Sequence, residues 1–107
     1  MPKLTTPDGV KLFPAADRFE LAIDGSQDVA AAYYRMDGDR FVLTHTIVPE
    51  RFSGLGIGTR LAHGVFREIR KSGHQLVTVC SFMADFAARH PEYDDVVAEG
   101  TTQGEAS

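Results

Sequence analysis

The chain has a single cysteine in 107 residues, so it makes no internal disulfide and no multi-cysteine metal site. Cys80 is left as either a buried small hydrophobe or a reactive thiol. Also missing is any apolar run approaching the roughly 20 residues that span a bilayer, and Met1–Thr6 has no long apolar core of the kind a secretory leader carries. Both absences point to the cytoplasm and away from membranes. A basic excess is lacking too: 11 Lys and Arg against 15 Asp and Glu leave a net charge of −4, which argues against a nucleic-acid partner. No segment repeats. What is present, 43% hydrophobic and 24% charged residues, is ordinary for a soluble globular chain, and the length suits one domain with a real core.

Residues 1–17 read as a lead-in, with Pro7-Asp8-Gly9 turning between Lys3–Thr6 and Val10–Phe13 to give a small hairpin. Alternation then predicts strands over Arg18–Ile23, Val29–Met36 and Arg40–Val48, the first ended by Asp24-Gly25-Ser26. Asp37-Gly38-Asp39 between the last two is a hairpin signal, so those strands should pair antiparallel. Strict alternation in the third strand puts Phe41, Leu43, His45 and Ile47 on one face and Val42, Thr44, Thr46 and Val48 on the other. From about Gly56 to Ser72, apolar Ile57, Leu61, Ala62, Val65, Phe66 and Ile69 recur at helical spacing, and Gly73 stops the helix. Gln75–Cys80 reads as a buried strand, parallel to the one before the helix because a crossover separates them. Phe82–His90 is a shorter helix with Phe82, Met83, Phe86 and Ala87 inward, ended by Pro91. From Ala98 the tail has nothing to bury and is expected to be disordered. The fold class is therefore α/β (α+β): a mixed sheet with antiparallel N-terminal strands, a glycine loop, a helix, a parallel strand and a short helix.

The stretch Arg51-Phe52-Ser53-Gly54-Leu55-Gly56-Ile57-Gly58-Thr59-Arg60 sits where a strand hands over to a helix. Glycines there let successive N–H groups turn toward one point, and the unpaired amides at the helix start add the positive end of its dipole. An anion, phosphate above all, is the natural guest. The spacing is G-x-G-x-G, which is not the dinucleotide fingerprint, and Thr59-Arg60 after Gly58 is not the Lys-Ser or Lys-Thr of a Walker loop.

Arg51-x-x-Gly54-x-Gly56, continuing through Ile57-Gly58 into a helix after an antiparallel hairpin, resembles the acyl-coenzyme A pyrophosphate loop of the GCN5-related N-acetyltransferase superfamily. Together with Thr44-His45-Thr46-x-Val48-Pro49, Cys80-x-Phe82 and His90-Pro91-Glu92-Tyr93, it is similar to the small, single-domain YjdJ-type branch. The resemblance spans residues 18–97 and implies acetyl-coenzyme A as cofactor and an amine as acceptor. It implies that the amides of Gly54, Leu55, Gly56, Ile57, Gly58 and Thr59 hold the pyrophosphate, with Arg51 and Arg60 nearby, although Arg60 read alone is equally a solvated helix face. It implies that backbone groups of Ile47 and Val48 pair with the pantetheine arm, and that the strand before the loop splays from Gln75–Cys80 to form a wedge for the thioester.

His45 and Cys80 would then meet the acetyl group from the two sides of that wedge. Histidine exchanges its proton near neutrality, so His45 is the candidate base, the alternative being a hydrogen-bonded core histidine. Cys80 is a nucleophile, a proton donor to the departing thiolate, or a wall of the pocket. Larger members carry a tyrosine acid on the next helix, and the equivalent positions here are Phe86, Ala87 and Ala88. Tyr93 lies beyond them, as a substitute acid or as packing. Only Asp24–Asp28 separates the first two strands, where larger members insert helices that wall the acceptor site, so an open site for a flexible amine or a protein lysine is expected. His63 and His74 have no partner at metal-ligand spacing and read as surface residues, with no metal implied. Two rival readings remain, a coenzyme A-binding module without transfer and a protein-contact scaffold.

Overall fold

Five strands and two helices account for most of residues 9–23, 27–52, 54 and 56–98, which the computed structural model describes. The strands are β1 (Val10–Phe13), β2 (Arg18–Ala22), β3 (Val29–Asp37), β4 (Arg40–Ile47) and β5 (Gln75–Thr78); the helices are α1 (Ile57–Lys71) and α2 (Ser81–Arg89). They form one sheet in the order β1-β2-β3-β4-β5. The first three pairings are antiparallel, and β4 pairs with β5 in parallel after the α1 crossover, as the sequence predicts. Gly38, at φ +65°, closes the β3–β4 hairpin, with Asp37 opposite Arg40.

The lead-in has a partner within the sheet. Val10–Phe13 runs antiparallel to β2, turning through Pro14–Ala16 and a left-handed Asp17, and Val10 is fully buried. A two-stranded hairpin is marginal alone, and pairing with β2 gives this segment a place in a larger sheet. The strand proposed over Lys3–Thr6, the Asp24–Ser26 turn and the tail from 99 onward lie outside the described residues. Ala98 is buried and donates its amide to the Leu76 carbonyl at 2.7 Å, so the packed chain runs through it.

One face of the sheet is covered by the helices. Cross-strand neighbours share a face, and the row Leu12–Phe19–Ala32–Thr46 follows from the register. Phe19 and Ala32 in that row are core residues together with Leu61, Val65, Phe66 and Ile69 of α1. The adjacent row, Phe13–Arg18–Tyr33–His45, turns the other way. Phe19, Tyr34 and Phe41 pack ring to ring at 4.9–5.7 Å, and burial pushes the Tyr34 phenol up.

A second aromatic cluster joins α1, α2 and the turn Pro91–Tyr93. Phe66 meets Phe86 at 4.9 Å and Tyr93 at 5.3 Å. The α2 residues turned inward are Met83, Ala84, Phe86 and Ala87; Phe82, expected with them, is 39% exposed. Nine residues of helix from Ser81 bring 83, 84, 86 and 87 onto one stripe, leaving 82 on its flank. Likewise Val79 is half exposed, because β5 has already left the sheet there.

Arg70 ties the C-terminal turn down, donating to the Glu92 carbonyl at 2.6 Å and to both carboxylate oxygens of Asp95 at 2.8 and 3.2 Å. Its guanidinium also lies over the Tyr93 ring. The hydrogen bond from Arg70 holds the Asp95 carboxyl below the ordinary aspartate range. A carboxyl with a lowered folded pKa adds stability above its unfolded value, and that contribution disappears as pH falls through the folded one.

Two measurements test this packing. Phe66→Ala should cost about 3–5 kcal/mol by urea unfolding, the range for emptying a fully buried aromatic site; a loss under about 1 kcal/mol would mean the cluster is not part of the core. Asp95→Asn should lower the melting temperature at pH 7, and the gap to wild type should close as pH drops below the ordinary aspartate value of about 3.9. A gap independent of pH would show that the charge on Asp95 plays no part.

Candidate functional site

The parting of β4 and β5 creates the site. Pairing runs from Arg40–Gln75 to Leu43–Thr78. There the Leu43 carbonyl accepts two amides, from Val79 and from Cys80, each at 3.0 Å. The chain then turns into α2 with Cys80 as its N-cap, and the Cys80 carbonyl accepts the Ala84 amide at 3.0 Å. β4 meanwhile continues to Ile47. Its stretch from Thr44 to Ile47 has no β5 partner, which leaves a strand edge open beside Cys80.

A bulge changes which side chains face that opening. Tyr33 pairs with His45 and Tyr34 with Leu43, so Thr44 is the extra residue. Its hydroxyl donates to the Tyr33 carbonyl at 3.3 Å. An extra residue reverses the alternation beyond it. Phe41 and Leu43 are in the core, but Thr46 rather than His45 continues their face, correcting the alternation expected for this strand. The Thr46 hydroxyl lies 3.2 Å from the Cys80 sulfur. His45 is exposed on the opposite face beside Tyr33, with Ile47, also exposed, two residues on. Thus His45 and Cys80 flank the strand edge from its two faces.

The glycine loop forms the other half. Gly54 and Gly56 take left-handed φ values of +82° and +79°, which favour glycine. Gly56 is the N-cap of α1, and its carbonyl accepts the Arg60 amide. The amides of Ile57, Gly58 and Thr59 precede the first intrahelical bond and point outward from the helix end. They border a cavity of about 350 Å³ lined by Val48, Phe52, Gly54, Gly56, Ile57, Gly58, Thr59 and Phe82. A Cβ on Gly58 would lie 2.9 Å from the tip of the Phe82 ring, so a side chain there would push that ring aside.

Leu55 lies outside the described residues. Arg51 is exposed, pairs with Asp28 at 2.9 Å and stacks on Phe52. Arg60 is exposed on the first turn of α1. Tyr93 is buried, and its hydroxyl is 2.8 Å from His63 Nδ1. His63, expected at the surface, is half-buried and edge-on to Phe86 and His90. His74, also expected there, is half-buried against Phe41 and bonded to Ser72. Sequence reasoning gave no role to Thr46 and set Phe82 in the core. Both stood inside quoted motifs, but only the bulge and the phase of α2 reveal where they point. No group of His, Cys, Asp or Glu among the described residues is arranged to hold a metal, and no described helix is long and apolar enough to cross a membrane.

A phosphate-bearing carrier with an extended arm fits these features. Outward amides and left-handed glycines suit its anionic part, and the open edge of β4 suits an arm able to hydrogen-bond like a strand.

Comparison with known proteins gives the fold and the family. A Staphylococcus aureus protein described as GCN5-like, solved in solution by NMR, superposes with a TM-score of 0.65 at 21% identity, over 95% of this chain and 100% of that one, and so shares the fold. Among curated proteins none matches. A family model described as GCN5-related N-acetyl-transferase matches residues 18–96. With most of its length matched, the chain belongs to the GCN5-related N-acetyltransferases, a family of acyltransferases.

Proposed function

We propose that the protein binds acetyl-coenzyme A along the glycine loop and the open edge of β4 and transfers the acetyl group to an exposed amine. The observation that carries this reading is that the cavity at the α1 N-terminus is bordered by Val48, the residue after the open edge of β4, whose stretch from Thr44 to Ile47 has no β5 partner. Amides from Gly54 to Thr59 hold the pyrophosphate, helped by the α1 dipole and by Arg60. Arg51, already paired with Asp28, adds less charge there. Backbone groups of Ile47 and Val48 hold the arm, and Phe52 and Phe82 exclude water from it.

The coenzyme supplies an acetyl thioester. His45, on the helix-free face, takes the proton of the incoming amine as its nitrogen bonds to the acetyl carbon and the carbon–sulfur bond breaks. The released thiolate needs a proton. Tyr93 is not placed to give it, since its hydroxyl is held by His63. Cys80 stands at the N-terminus of α2, beside Thr46, on the other side of the strand edge. It either donates that proton or first accepts the acetyl group itself and passes it to the amine. The helix-free face around His45 is open, so an amine on a flexible chain, such as a protein lysine, is the acceptor class that fits.

Acetyl-coenzyme A at millimolar concentration should raise the melting temperature of the wild type, and Gly56→Val should abolish that rise while leaving the circular dichroism spectrum folded, because a β-branched residue is strained at φ +79°. No rise for the wild type would end the proposal at its first step. His45→Ala should lower kcat about 100-fold at neutral pH, the scale of a positioned base, with coenzyme affinity nearly unchanged; an unchanged rate would remove His45 as the base. Mass spectrometry after incubation with acetyl-coenzyme A assigns the role of Cys80. A one-acetyl gain in the wild type that is absent in Cys80→Ala makes it a carrier, and an unmodified wild type leaves it a proton donor or a wall of the pocket.

A further inference from the structure

We infer that Thr46 is a positioning residue for Cys80: its hydroxyl fixes the direction of the thiol at the mouth of the β4–β5 wedge and stays hydrogen-bonded to the sulfur whether or not the sulfur carries its proton. This deepens the reading of Cys80 as a group that meets the thioester. Cys80 is anchored at both ends of its backbone, the amide on Leu43 and the carbonyl on Ala84. Rotation about χ1 is the freedom left to it. The Thr46 hydroxyl, 3.2 Å from the sulfur, removes that freedom.

Thr46 is built for the contact in three respects. The bulge at Thr44 turns it from the His45 face to the Cys80 face, so a local irregularity of β4 exists where this pairing needs it. It is β-branched, hence stiff at χ1, and its cross-strand neighbour is Ala32, too small to compete for the space. The sulfur is also the sole hydrogen-bond partner of its hydroxyl among the described residues. A hydroxyl both donates and accepts. It accepts from the thiol S–H, and when the thiol gives up its proton the hydroxyl rotates and donates to the sulfur. Neither step moves a heavy atom, so the sulfur keeps its aim through a change of protonation. Valine keeps the shape and loses both bonds, whereas serine keeps the hydroxyl on a freer side chain.

The experiment is alkylation of Cys80, the chain's single cysteine, by iodoacetamide, followed by mass spectrometry without coenzyme in wild type, Thr46→Val and Thr46→Ser. Thr46→Val should react roughly tenfold more slowly, the scale of one lost hydrogen bond, and Thr46→Ser should stay within about twofold of wild type. In turnover, Thr46→Val should lower kcat with little change in the KM for acetyl-coenzyme A, and Thr46→Ser should restore it. Packing alone predicts the opposite ranking, since valine matches threonine in shape better than serine does. Alkylation of Thr46→Val at or above the wild-type rate overturns the inference, as does a serine variant no better than valine. If wild type shows no stabilisation by acetyl-coenzyme A, the coenzyme reading fails by itself, and the alkylation rates still judge the contact between Thr46 and Cys80.

Discussion

The double acceptance at the Leu43 carbonyl is the constraint on which the site depends. A carbonyl has two lone pairs, and here both are filled by consecutive amides, those of Val79 and Cys80. A strand that spends two donors on one acceptor cannot continue a regular ladder. β5 therefore leaves the sheet, and its chain enters α2 immediately, while β4 runs on to Ile47 with one edge bare. In most sheets a bare edge invites aggregation. Here it is short, lies beside a cavity, and is flanked by a histidine on one face and a cysteine on the other.

That parting holds only because α2 cannot drift. The helix is nine residues long, too short to be stable alone, so its position comes from packing. Phe86 is wedged between Phe66 of α1, His63 and Tyr93, and stacks on His90 at 4.0 Å. The His63–Tyr93 hydrogen bond and the Arg70 clamp fasten the Pro91–Tyr93 turn over the same cluster. The polar atoms in this aromatic layer thus answer a packing need, and they fix the N-terminus of α2, where Cys80 and Phe82 stand. Core and site are linked through one short helix.

Much of this was legible in the sequence, for identifiable reasons. Strand alternation, the Asp-Gly hairpin and the apolar stripe of α1 are local signals, and they gave the order of elements, the antiparallel hairpin and the parallel β5. The glycine loop was legible because its left-handed backbone favours glycine at set places in the chain. What was hidden is non-local. Val10–Phe13 carries too weak a pattern to declare its partner, and only the sheet shows that it caps β2. The bulge was invisible because Thr44-His45-Thr46 alternates without any apolar residue to fix which face is inside. His63 looked solvated since its partner, Tyr93, is 30 residues away in the chain.

The three glycines that look equivalent in sequence do separate things. Gly54 and Gly56 are required by backbone angle, because both sit at φ near +80° with nothing within 4 Å of where a Cβ would be. Gly58 is inside α1, where glycine costs helix stability relative to alanine. The absence of a side chain there leaves room for the tip of the Phe82 ring. The first pair sets the backbone of a loop that borders the cavity, and the third lets an aromatic ring from α2 lie against the start of α1. The same spacing therefore couples the loop to α2, whose N-terminus carries Cys80. A single ring resting on a missing side chain thus joins the start of α1 to the start of α2.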